Sequence, residues 1–131
     1  MKDFTLQTYN PTALQPSSFY LLSRGVNTGK PAFQPWRNSY VFFCDVEDVS
    51  RYYWCIYGMW QAKAFHQYMH GTCVQFISIG VMKSAIVSTM AAFNNIDRYI
   101  DRLQALADLE INLAQKLKLM EALKHSLLRL A

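Results

Sequence analysis

From residue 81 to residue 131 the chain contains neither glycine nor proline. These two residues interrupt helices most strongly, so their absence leaves the whole segment free to be helical. The pair Asn94 and Asn95 is the one plausible break, and Asn95 or Asp97 is a suitable N-cap for a helix that begins after the break. We therefore expect a helix over residues 81–93 and a second helix to the end of the chain, about 50 Å long.

Apolar residues recur along this second helix at alternating spacings of three and four. The series consists of Ile96, Tyr99, Leu103, Leu106, Leu113, Leu117, Met120 and Leu127. Glu110 and Lys124 interrupt it. The spacing is typical of a helix that packs along a partner helix, and the rest of the chain is too short to cover such a length. We expect a coiled-coil homodimer whose interface comprises Tyr99, Leu103, Leu106, Leu113, Leu117, Met120 and Leu127.

Three stretches in the first half of the chain carry β-strand signals. Residues 4–9 alternate moderately between apolar and polar types and end at an Asn-Pro pair, which predicts an edge strand. Residues 18–25 predict a second strand, closed by glycine, and residues 39–45 (SYVFFCD) predict a buried one. The intervening residues 26–38 contain glycine, proline and polar turn formers, so we expect a loop there.

An aromatic-rich helix is expected after the third strand. Asp45 is a suitable N-cap, and the helix should run to about His70, where Gly71 supplies a left-handed cap. The core-facing stripe of this helix consists of Val49, Tyr52, Tyr53, Ile56, Met59, Trp60 and Ala64. Residues 72–79 (TCVQFISI) then alternate and are short enough only for a strand.

These elements together predict an α+β fold, with a small sheet packed on the aromatic-rich helix in residues 1–80 and a long helical arm for dimerisation in residues 81–131. The chain of 131 residues is 52% hydrophobic, which supplies a core for one domain. Only 17% of residues are charged, a low fraction for the surface of a free monomer, so a buried interface is expected. The sequence has no signal-like N-terminus and no apolar run of about 18 residues, which predicts a cytoplasmic protein without a membrane partner.

Cations without acids mark residues 18–40. The segment contains Arg24, Lys30 and Arg37 and no acid, in a chain whose net charge is +4. With Trp36 and Asn38 they form the predicted nucleic-acid contact, because cations hold phosphates while amide and aromatic groups face bases. An exposed loop whose Trp36 fills the core is an equally open alternative. The NTGKP stretch lacks the G-x-x-x-x-G-K-[ST] motif of phosphate-binding loops.

The residues capable of catalysis or metal binding form no recognisable set. Ser50, His66 and Asp45 have no spacing that favours a nucleophile, a base and an orienting acid, so no enzyme activity is predicted. His66 and His70 lie four residues apart with Cys73 nearby, yet no carboxylate completes a zinc site. We predict no metal and no cofactor, and leave open whether the two histidines alone bind a metal. Three cysteines without C-x-x-C spacing predict reduced, buried thiols.

The order of these segments resembles known proteins at two levels. Residues 18–79 look like a family of small, uncharacterised bacterial proteins with a glycine-lysine-proline loop, a Lys-Ala-Phe-His helix end and a glycine-led strand. The chain is also similar to the end of a target-recognition domain, with its spacer helix, in type I restriction–modification specificity subunits. The residues that carry this second resemblance are Gly71, Thr72, Phe76, Ile77, Leu123, Lys124, Leu127 and Leu128.

The second resemblance implies a DNA-contacting module without catalytic activity. The glycine-led strand would join a recognition unit to the spacer helix, and that helix would pair antiparallel with a second copy. The first functional hypothesis is therefore contact with duplex DNA through Arg24, Lys30, Trp36, Arg37 and Asn38. The second is a protein-interaction or assembly module that acts through its long C-terminal helix without nucleic acid.

Overall fold

The computed structural model describes residues 3–71, 73–93 and 95–130, with the side chain of Leu130 excepted. Within these residues the elements are β1 (Thr5–Thr8), β2 (Phe19–Leu22), β3 (Pro31–Ala32), β4 (Ser39–Phe43), α1 (Val49–Gln61), a short 3-10 helix (His66–Tyr68), α2 (Ile79–Ala92) and α3 (Ile96–Leu130). The sheet, the aromatic-rich α1 and the long α3 confirm the predicted α+β class. Thr72 and Asn94, which the sequence assigns to a strand and to a helix break, lie outside the described residues.

The strands form one antiparallel sheet in the order β1-β4-β2-β3. Phe19 of β2 lies opposite Phe42 of β4, and Leu22 lies opposite Ser39. Because side chains alternate along a strand, Phe19, Leu21 and Phe42 share the face that packs into the core, where all three are fully buried. The two-residue β3 pairs with β2 inside the segment predicted as a loop.

Stacked aromatic rings build the core between the sheet and the helices. The Phe42 ring contacts the rings of Phe4 and Phe19, with centroids 4.7 and 4.5 Å away. Tyr52 of α1 meets the Phe42 ring at 5.1 Å. Every residue of the predicted α1 stripe is buried or packs against this cluster, so helical periodicity identified the core face of α1. Helix α2 adds Met82, Ala85 and Ile86 to the same core.

Helix α1 begins later than predicted. Its N-cap is Asp48, not Asp45, and its first residue is Val49. The Asp48 amide donates to the Asp45 carbonyl oxygen at 2.9 Å, so the intervening residues form a turn between β4 and the helix.

Helix α1 also ends at Gln61, well before the predicted end at His70. Lys63 adopts a left-handed φ of 58°, the conformation that the sequence assigned to Gly71. The amides of Ala64 and Lys63 donate to carbonyl oxygens of the last helical turn at 2.9 and 3.0 Å, which is a Schellman motif. Phe65 follows directly and is fully buried, and burial of its ring offsets the cost of left-handed lysine.

The described part of the glycine-led segment, residues 73–79, does not form the predicted strand. His70 and Phe76 exchange two backbone hydrogen bonds of 2.7 and 2.8 Å across a loop in which Gly71 has a φ of 108°. The Gly25 amide donates to the Gln75 carbonyl oxygen at 2.8 Å, so the segment is held beside the end of β2 by isolated bridges. The backbone groups of Gln75 and Phe76 are therefore used in these bridges and not in a continuous strand.

The chain divides into two compact units, Met1–Ile100 and Asp101–Ala131. The first unit holds the sheet, α1, α2 and the first turn of α3, which an ion pair of 3.0 Å between Arg51 and Asp97 links to α1. The division drawn from the sequence fell after residue 80, ahead of α2. The second unit consists of the remaining length of α3.

Candidate functional site: a basic cleft and an apolar helix face

The five residues predicted to contact nucleic acid line one cleft. Arg24, Lys30, Trp36, Arg37 and Asn38, together with Leu22 and Asn27, surround a cavity of about 430 Å³. None of these lining residues is acidic. We call this cavity the basic cleft. The structure thus brings together side chains that two separate connections contribute, those between β2 and β3 and between β3 and β4.

The β2–β3 connection forms the first wall of the basic cleft. It reverses direction through Gly25 and Gly29, whose φ values are 88° and 90°. The Gly29 amide donates to the Leu22 carbonyl oxygen at 2.7 Å, and the Thr28 hydroxyl donates to the Gly25 carbonyl oxygen at 2.6 Å. A Cβ at Gly29 would overlap the buried ring of Phe65, so glycine is required there for both conformation and space.

The β3–β4 connection forms the second wall. The buried Ser39 hydroxyl accepts a hydrogen bond from the Trp36 amide at 2.8 Å and donates to the Trp36 carbonyl oxygen at 2.6 Å. The Asn38 carbonyl oxygen accepts a hydrogen bond from the Ser23 amide at 2.9 Å, which ties the two walls together. The Ser39 hydroxyl and backbone hydrogen bonds therefore hold this wall, and these bonds do not involve the exposed Arg37 and Asn38 side chains.

The cations of the basic cleft differ in their surroundings. The Lys30 ammonium lies over the Trp60 ring, 5.1 Å from its centroid, and the lysine is half-buried. Arg24 and Arg37 are exposed. Burial raises the pKa of Tyr40, and the positive charge of Arg24 acts in the opposite direction on it. Trp36 is half-buried and lines the cleft. Its side chain is therefore not confined to the core, as the alternative interpretation of the sequence had it.

The second unit exposes the apolar side chains predicted to form a dimer interface. Five of them are each between 55% and 60% exposed, namely Leu106, Leu113, Leu117, Met120 and Leu127. We call these five residues, with the intervening Glu110 and Lys124, the seam. Leu109, Leu123 and Leu128 flank it and are also more than half exposed. The other two predicted interface residues differ, because Leu103 is half-buried and Tyr99 packs on the Phe93 ring, 4.7 Å between centroids, inside the first unit.

A larger apolar cleft lies at the start of α1 and was not predicted. Its volume is about 720 Å³, and its aromatic lining consists of Phe33, Phe43, Tyr53 and Trp54. The Phe33 ring stacks on Tyr53 with 4.7 Å between centroids. The sequence predicts Phe33 in a loop and Tyr53 in the core-facing stripe of α1. The available signal was Phe43, which follows a core residue of β4 and must therefore point to the opposite face.

The thiols and histidines have separate environments. Burial raises the pKa of the Cys55 thiol to about 11. Cys44 is also buried, whereas Cys73 is exposed, so the prediction of buried thiols is wrong for Cys73. His66 lies in the 3-10 helix and His70 in a β-bridge, so they do not share the helix face expected from their spacing. Over the part of the chain that the structure describes, no three metal-binding side chains cluster.

Comparison with protein-family models gives a match over nearly the whole chain. The matching model is described as a family of unknown function (DUF6943) and covers residues 6–130, which span both compact units. No curated protein and no solved structure matches the chain significantly. Among the described helices, none combines the length and apolarity that crossing a membrane requires. The chain belongs to the DUF6943 family.

Proposed function

We propose that this protein is an assembly module that forms a homodimer through the seam of α3. The observation that carries the proposal is the row of five apolar side chains, each more than half exposed, along the second unit. An isolated helix is marginally stable in water, and most helices in proteins are stabilised by packing of their apolar face. A second copy of the chain supplies a seam of the same length and spacing.

Burial of the apolar side chains of the seam favours association of two copies. Each copy contributes eight large apolar side chains, five in the seam and three beside it, that are more than half exposed. Burying the exposed half of each contributes about 1 kcal/mol, or about 16 kcal/mol for two copies. Association itself costs about 4–15 kcal/mol. The burial contribution exceeds the whole of this range, so the seam favours association.

The charged residues of the seam favour antiparallel pairing. In a parallel pair, residues of equal number meet, so Glu110 would face Glu110 and Lys124 would face Lys124. In antiparallel registers that keep the apolar layers, Glu110 is offset from Lys124 of the second copy by three or four residues, about 4.5–6 Å along the helix axis. Parallel pairing would gain rim contacts between Lys116 and Glu121, worth about 0.2–1 kcal/mol each. Like charges inside an interface cost several kcal/mol, which outweighs that gain.

Sedimentation velocity over about 1–200 µM tests the homodimer. The expected result is a shift from the 15.2 kDa monomer to twice that mass as concentration rises. A monomer mass throughout would overturn the proposal.

Reciprocal charge exchange tests the direction of pairing. Glu110→Lys and Lys124→Glu should each weaken an antiparallel dimer, and the double exchange should restore it, because the attractive pair is re-formed. Failure of the double exchange to restore the dimer would count against antiparallel pairing.

We propose as a second function that the basic cleft contacts nucleic acid, DNA in the first instance. The specific observation in its favour is the acid-free lining of three cations, two amides and one tryptophan. Replacement of Arg37 by alanine should lower the dependence of log affinity on log salt by about 0.9 per lost phosphate contact on duplex DNA. Arg98→Ala removes another exposed arginine, one that lies outside the cleft. An equal effect of both changes would reject the cleft as the contact.

The expected cytoplasmic location stays a prediction.

A further inference from the structure

We propose that the basic cleft binds a single nucleotide unit, a flat heteroaromatic base with its phosphate, in preference to a DNA duplex. The inference rests on the second proposed function and names the form of nucleic acid that the site takes. It is independent of whether α3 pairs with a second copy.

The shape of the site separates a nucleotide unit from a duplex. The volume of about 430 Å³ lies within the range of about 300–1,000 Å³ that small-molecule sites occupy. A duplex is read by a protruding helix or two-stranded ribbon that enters a groove. Here the lining side chains come from strand ends and two connecting loops around a cavity. Such a cavity accommodates an unstacked base, which is how single strands are recognised.

The chemistry of the lining matches both halves of a nucleotide. Trp36 supplies an aromatic surface on which any base can stack. Asn27 and Asn38 are exposed amides, each with donors and an acceptor for a base edge. Arg24 and Arg37 are exposed guanidinium groups with the fork geometry that phosphate favours. The Lys30 ammonium lies over the Trp60 ring and is half-buried, so the two exposed arginines are the more accessible phosphate contacts.

Hydrogen bonds within the two connections hold the backbone of the site. The Lys30 amide donates to the Asn27 carbonyl oxygen at 3.0 Å, and the Leu22 amide donates to the Lys30 carbonyl oxygen at 3.1 Å. The buried Ser39 hydroxyl fixes the opposite wall through its two bonds to Trp36. These hydrogen bonds restrain both loops, which lowers the entropic cost of ligand binding.

A nucleotide unit can come from a free mononucleotide or from a single strand. Fluorescence anisotropy measures the binding of labelled dT12 at about 0.15 M salt. The same strand annealed to its complement is measured in the same way, and thymidine monophosphate is added as a competitor of dT12. Each probe is measured with the wild type, Arg37→Ala and the matched control Arg98→Ala. Both arginines are exposed, so neither change removes a buried contact.

We expect dT12 to bind at least about tenfold more tightly than the duplex. Arg37→Ala should lower the affinity for dT12 about tenfold, because it removes a charge-assisted bond to phosphate. Arg98→Ala should change it less than about twofold. Competition by the mononucleotide at a similar affinity identifies a free nucleotide as the ligand, and competition only by strands identifies single-stranded nucleic acid. Both outcomes support the site.

Two results would overturn the inference, and they are distinguishable. Duplex binding as tight as that of dT12, with a loss specific to Arg37→Ala, would reject the nucleotide unit and keep the cleft as a nucleic-acid contact. Absence of binding by every probe, or equal losses in Arg37→Ala and Arg98→Ala, would reject both the inference and the second proposed function.

Discussion

Replacement of Leu117 by aspartate should dissociate the homodimer without unfolding the first unit. Leu117 lies in the middle of the seam and is 58% exposed in the single chain. The change removes about 1 kcal/mol of apolar burial from each copy. It also places a carboxylate in an apolar layer of each helix, a position where an unpaired charge costs several kcal/mol. We expect the dissociation constant to rise at least about a hundredfold, or about 3 kcal/mol.

Leu119→Asp is the matched control for this change. Leu119 is 70% exposed and lies two positions further along α3, on the side opposite the seam. Both variants make the same exchange of a strong helix former for a weak one, so helix propensity falls equally. Only the seam variant should lose the dimer, as measured by sedimentation velocity. All tyrosines and tryptophans precede residue 101, so intrinsic fluorescence during unfolding reports on the first unit alone. Equal weakening by both variants, or by neither, would refute the reasoning.

Three further predictions concern the first unit. Gly29→Ala should destabilise the first unit by more than about 2 kcal/mol in urea unfolding, because the added Cβ overlaps Phe65 and φ is positive. Gly25→Ala also has a positive φ but its Cβ meets open space, so it should cost only about 1 kcal/mol. Similar losses in the two variants would disprove the overlap argument. A thiol reagent at pH 8 should modify exposed Cys73 rapidly and buried Cys55 only on unfolding, and fast modification of Cys55 would contradict its burial. Burial raises the pKa of the Cys55 thiol from 9.0 to about 11, so the folded state keeps the thiol proton at pH values where the unfolded state has lost it. The free energy of unfolding should therefore fall by about 2–3 kcal/mol as pH rises from 9 to 11. An unchanged urea midpoint over that range would contradict this prediction.

The features that depend on residues close together in the chain could be predicted from patterns in the sequence. The helical periodicity identified the core face of α1, and the absence of glycine and proline predicted the length of α3. The three strands predicted before α1 are present, although β2 and β4 end before residues 25 and 45. The acid-free segment identified the residues of the basic cleft, because both of its loops lie close together in sequence as well as in space.

The features that the sequence did not predict depend on contacts between distant residues. Lys63 ends α1 in a conformation that usually selects glycine, and the burial of Phe65 that accompanies it is a property of the whole core. The glycine-led segment pairs with the end of β2 through Phe76 instead of forming a strand. The aromatic cleft around Phe33 requires a loop residue to meet α1. None of these contacts leaves a periodic signal.

The measurement that tests the central claim most directly is the distance between spin labels on α3. Single cysteines replace Ala105, Gln115 or Arg129 in a Cys73→Ser background, and pulsed dipolar spectroscopy measures the distance between two copies. Antiparallel pairing centred near residues 115–119 predicts a short distance at position 115. At positions 105 and 129 it predicts that the two spin labels lie about 30–40 Å apart along the helix axis. Equal distances at all three positions would contradict antiparallel pairing, and absence of dipolar coupling at every position would contradict the homodimer itself.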